Sequence, residues 1–64
     1  MAAFYWVKKI RLKDHKVIKT MMKLPTLTEA VQYKIQYSKD ERDPHVAYII
    51  CEYDDDNMLK QIHR

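Results

Sequence analysis

Cys51 and His45 are the residues with which this chain could most readily do covalent chemistry, as a thiolate nucleophile beside an imidazole base. Both fall in the apolar run HVAYIICEY, residues 45–53, which reads as a strand. They share a face of that strand, but six residues of strand rise put them about 20 Å apart, too far for a dyad. Cys51 is expected instead to be a small core residue. Asp54, Asp55 and Asp56 offer carboxylates to a hard cation, yet consecutive residues point in different directions and lack the alternation of a calcium loop, so they read as a cap or a solvated acidic patch. His15, His45 and His63 have no metal-ligand spacing. The chain also contains no glycine, which excludes the phosphate-cradling loops and dinucleotide fingerprints that need close backbone approach. No catalytic residue, metal or cofactor is expected, and the chain reads as a binding protein rather than an enzyme.

The elements that would position a binding surface follow from periodicity. Residues 3–12 (AFYWVKKIRL) are aromatic and β-branched and read as a first strand; residues 16–24 (KVIKTMMKL) alternate as a second, and the two should form an antiparallel hairpin. Pro25 ends the second strand by withholding a backbone donor. Thr26, with Glu29 three residues on, makes a capping box for a helix running to about Tyr37, with Leu27, Ala30, Val31, Ile35 and Tyr37 around its inner side. Lys34 is the misfit in that stripe, expected to pack its stem and extend its ammonium to water. After the charged, proline-ended loop of residues 38–44 comes the third strand, residues 45–53.

The expected fold is therefore α+β: a three-stranded antiparallel or mixed sheet in β-β-α-β order with one helix on one face. A right-handed crossover places the third strand beside the first, giving sheet order 2-1-3. Residues 1–53 form the one domain that 64 residues accommodate, and residues 54–64 an acidic and polar tail, partly helical or disordered. One cysteine permits no internal disulfide, and the short apolar run at the N-terminus precedes its lysines, unlike a signal sequence or membrane span. A cytoplasmic protein without membrane attachment is expected.

Each strand carries apolar residues on both faces, whereas a sheet with water on one side should alternate with polar ones. Burial by a partner, or by a second copy through the sheet face or edge, would account for this. The partner-binding surface is expected at Tyr5, Val7, Met21, Tyr48 and Ile50, with Leu27, Val31 and Ile35 in the core; a shift of one register step would exchange neighbours along each strand.

Charge is uneven within a formal net of +3. Lys8, Lys9, Arg11, Lys13, Lys16, Lys19 and Lys23 make the first hairpin basic, and Glu52 with the three aspartates makes the end acidic. A basic hairpin interleaved with Tyr5 and Trp6 suits nucleic acid, the alternative partner, although the acidic end opposes it.

Tyr5-Trp6 opening the first strand, Thr26-Leu27-Thr28-Glu29-Ala30 opening the helix, and Gln36-Tyr37 near its end resemble the small host RNA-polymerase inhibitor of T7-like bacteriophages, across residues 4–53. The resemblance implies a bacteriophage protein for host takeover that acts by occupying a surface of the host transcription machinery, in the host cytoplasm. The family grips polymerase with arginines in its last strand, and the matching Tyr48-Ile49-Ile50-Cys51-Glu52 has none. That contact is not carried over.

Overall fold

In the computed structural model, which describes residues 2–64, the chain forms β1 (Ala2–Arg11), β2 (Val17–Leu24), α1 (Leu27–Asp40), β3 (Val46–Asp54) and β4 (Leu59–His63). All neighbouring strands are antiparallel, in the order β2-β1-β3-β4. The 2-1-3 arrangement expected from sequence is thus present, with a fourth strand added at its β3 edge.

That fourth strand corrects the expectation of a helical or disordered tail. The aspartates make a turn instead of capping a helix: Asp54 Oδ1 accepts from the backbone N–H groups of Asp56 at 2.9 Å and Met58 at 3.0 Å. The Asp54 N–H donates to the Met58 carbonyl at 3.0 Å, and Asn57 takes the left-handed backbone (φ 66°) that reverses the chain. His15 does the same in the β1–β2 turn (φ 58°), where its N–H donates to the Arg11 carbonyl at 2.7 Å. A chain without glycine has given both left-handed positions to residue types that tolerate them better than most.

Thr26 caps α1, its Oγ1 accepting from the Glu29 N–H at 3.3 Å; such caps contribute about 1 kcal/mol. The helix runs three residues past the expected end, and Gln36 Nε2 donates to Asp40 Oδ2 at 2.9 Å in its last turn. Its orientation differs from the expected one. Ala30 is its buried residue, Lys34 and Tyr37 are half-buried, and Leu27, Val31 and Ile35 are 36, 39 and 61% exposed, outside the core. Tyr37 sets this rotation by stacking on Tyr48 of β3, with ring centres 5.7 Å apart. The helical stripe available to the sheet is then Ala30, Lys34 and Tyr37, four and three residues apart.

The core lies between α1 and the sheet: Val7, Leu24, Ala30, Tyr48 and Ile50, with Tyr5, Met21, Met22 and Tyr37 packed around them. Val7 and Ile50 are the largest side chains fully removed from water. On the same side, Glu52 is buried but satisfied, its carboxylate 2.8 Å from His63 Nε2 and 3.7 Å from Lys60 Nζ, both on β4. Among the described residues, no helix is long and apolar enough to cross a membrane.

Candidate functional site: the helix-free sheet face

Directly opposed residues on adjacent strands share a face. Trp6 stands opposite Cys51 and Lys23, Lys8 opposite Ile49 and Thr20, Ile10 opposite Ala47 and Val17, Phe4 opposite Tyr53. On β4, Ile62 faces Cys51 and Leu59 faces Tyr53. These residues form the side of the sheet away from α1. They hold a second apolar cluster, in which Ile10, Ile49 and Cys51 are buried beneath Trp6, Ala47 and Tyr53. Val17, Leu59 and Ile62 extend it outward with 48, 52 and 41% of their surfaces exposed.

Sequence reasoning found a two-faced apolar sheet but assigned the faces one step out of register. Tyr5, Val7, Met21, Tyr48 and Ile50, expected at the partner surface, lie in or against the helix-covered core. The face without a helix carries their neighbours. Alternation alone leaves both assignments open, because both sets are apolar; the choice is made by Ala30, small enough for the helix to settle close over Val7 and Ile50. Lys9 fixes the same choice through a contact distant in sequence. Its ammonium is 2.7 Å from Glu41 at the helix C-terminus, which ties its side of β1 to the helix.

The aromatic residues of the helix-free face are already partly paired. Phe4 and Tyr53 stack at 5.1 Å with 11° between their planes, and Lys23 Nζ sits 4.4 Å from the Phe4 ring centre. Lys8 Nζ donates to the Tyr53 hydroxyl at 2.8 Å; at 5.2 Å from the ring centre, it lies at the hydroxyl end of the ring rather than above its face.

The basic hairpin does not gather into one patch. Lys8 and Lys23 belong to the helix-free face, while Lys9 pairs with Glu41, and Lys19 stands opposite Lys9 on the helix side. Arg11 is engaged by Asp14 within the β1–β2 turn at 2.8 Å, and the exposed Lys13 and Lys16 occupy that turn and its exit.

Among the described residues, Glu41 is the most connected carboxylate. Beside Lys9 it accepts from the Tyr48 hydroxyl at 2.6 Å and from the Arg42 and Asp43 N–H groups. Hydrogen bonds from Lys9 and Tyr48 lower its pKa to about 2, and the same contact with Glu41 raises that of Lys9. A carboxylate with a depressed folded-state pKa stabilises the fold above its unfolded value and loses that contribution as pH falls through the folded one. Melting temperature should therefore drop between pH 4.5 and about 2, with Glu41→Gln flattening that part of the profile. An unchanged acid limb in the variant would show that the clamp contributes nothing.

Little here resembles a reaction centre. Burial pushes the Cys51 thiol pKa up, away from the thiolate a nucleophile needs. His45 lies outside β3, its N–H donating to Asp43 at 2.9 Å. Among the described residues, no three His, Cys, Asp or Glu side chains group as a metal site. A cleft of about 450 Å³ lies between the helix end and the start of β3, lined by Lys34, Ser38, Glu41 and Tyr48 together with His15 and with Ile10, Ala47 and Ile49 of the second apolar cluster. Glu41 and Tyr48 there are bonded to each other. No protein-family model, curated protein or solved structure matches this chain.

Proposed function

We propose that this protein is a non-catalytic protein-binding module whose working surface is the helix-free sheet face. The observation that supports this most is the second apolar cluster, Ile10, Ile49 and Cys51 with Trp6, Ala47 and Tyr53, on a face that no helix covers. Residues Leu59–His63 add an edge strand beside β3 rather than folding across that cluster. In the reading suggested by the resemblance to phage polymerase inhibitors, the module acts by occupying a surface of a host protein. The grip then comes from an apolar sheet face rather than from arginines in the last strand.

Val17 and Ile62 allow a test that spares the core, since both are exposed on this face. Capture from bacterial lysate with the wild type, Val17→Lys, Ile62→Lys and the helix variant Ile35→Lys should yield a protein retained by the first and last and lost by the two face variants. Equal retention by all four would place the working surface elsewhere.

Nucleic acid is the second reading, favoured by Lys8 and Lys23 set among Phe4, Trp6 and Tyr53. Opposed to it are the dispersal of the other basic residues and the stacking of Phe4 between Tyr53 and Lys23, which leaves neither of its faces open to a base.

A further inference from the structure

The helix-free face is apolar, but its charge is of one sign. Lys8 and Lys23 are the ionic side chains that its paired strand positions carry, and no described strand position on it holds a carboxylate: Glu52 points to the helix side, Asp54 is engaged in the turn, and Arg64, with Glu41 and Asp43, stands at the cleft that borders the face beside Ile49. Lys23 stands opposite Trp6, and Lys8 is two residues further along β1. Strand geometry puts their Cα atoms about 8 Å apart, one strand over and two residues along.

A partner covering this face must desolvate both ammonium groups or answer them. A second copy laid face to face would bring four ammonium groups together in an apolar interface without a counter-ion, an arrangement that costs more than it gains. An acidic partner answers them directly, and its apolar groups cover the cluster formed around Ile49 and Cys51. Carboxylates two residues apart on an extended segment are spaced by roughly 7 Å, close to the separation of the two lysines. The alternate positions of such a segment would all point the same way, so acidic side chains on one side require apolar ones at its flanks or on a neighbouring strand.

Resting on the protein-binding reading above, we infer that the helix-free face is built for a heterologous protein segment that pairs carboxylates with Lys8 and Lys23 and covers the rings around them with apolar side chains. Lys23 then leaves the Phe4 ring for a carboxylate, and Lys8 keeps the Tyr53 hydroxyl while gaining a second acceptor. Trp6, between the two lysines, is the aromatic anchor of the contact.

The test uses the full chain, labelled at methyl groups and at the Trp6 indole, titrated at low salt with three probes: acetyl-Leu-Ser-Glu-Ser-Glu-Ser-Leu-amide, whose two carboxylates and flanking apolar groups share one side when extended, its counterpart with both Glu replaced by Lys, and a twelve-residue oligo(dT). The acidic peptide should shift Trp6, Ile49 and Ile62 and leave Val7 and Ile50 in place. Its affinity should fall about fivefold or more in Lys8→Gln/Lys23→Gln and weaken with added salt. The basic peptide should shift none of them. Equal response to both peptides, or none to the acidic one, overturns the inference. Concentration-dependent shifts of the same methyls without any probe would mean a second copy is the occupant, which also overturns it but leaves protein binding standing. Binding of oligo(dT) at Trp6 in preference to the acidic peptide would overturn both.

Discussion

Tyr48→Ala should leave the protein largely unfolded near body temperature. Tyr48 is 7% exposed, its ring stacks on Tyr37, and its hydroxyl donates to Glu41, so truncation removes a core side chain and the one hydroxyl that holds the helix end to β3. Aromatic-to-alanine changes in cores cost about 3–5 kcal/mol, much of the stability a domain of this size has. For so small a domain each kcal/mol shifts the melting temperature by roughly 4–8 °C, so a thermal melt followed by circular dichroism should move by more than about 12 °C. Tyr48→Phe, which keeps the stack and loses the hydroxyl, should move far less. A Tyr48→Ala melt within a few degrees of wild type would take Tyr48 out of the core and reverse the assignment of faces.

Ala30→Leu should be the next most damaging change, although it adds an apolar group to an apolar core. Ala30 has no exposed surface, and its methyl group sets how closely α1 approaches Val7 and Ile50. Three extra carbons must push the helix off the sheet or force neighbours from their rotamers, at a cost of about 1–3 kcal/mol. The displacement would also stretch the Lys9–Glu41 ion pair and the Tyr37–Tyr48 stack. Ile35→Ala, on a side chain 61% exposed, should by contrast change stability by less than about 0.5 kcal/mol. Equal melts for the two variants would mean that the helix tolerates rotation about its axis and that its seating is not fixed by Ala30.

These two variants also mark where the sequence was readable. Strand and helix positions followed from periodicity and from Thr26 and Pro25, because capping and the loss of a backbone donor act locally. Helix rotation was not readable. Leu27, Val31 and Ile35 make a more apolar stripe than Ala30, Lys34 and Tyr37, and the second stripe wins through a tyrosine stack and an ion pair between residues far apart in sequence. The same holds for β4: Leu59-Lys60-Gln61-Ile62-His63 is too short and polar to declare itself, and it is held by pairing with β3 and by His63 and Lys60 meeting Glu52. The assignment of sheet faces suffered most, since two apolar sets on the same strands differ only by one step of register.

The double use of β1 and β3 has a consequence for how this chain tolerates change over generations. Along Tyr48 to Tyr53, positions alternate between seats beneath the helix, namely Tyr48, Ile50 and Glu52, and seats on the opposite side, namely Ile49, Cys51 and Tyr53. A saturation scan scored for abundance alone should find the first set intolerant, with the second accepting many apolar replacements. On the proposed function, a scan scored for recognition should add the second set and leave few free positions between Val46 and Asp54. Drift in such a strand advances in steps of two, so replacements accumulate first on the odd-numbered residues of β3 while the even-numbered ones beneath the helix stay constant.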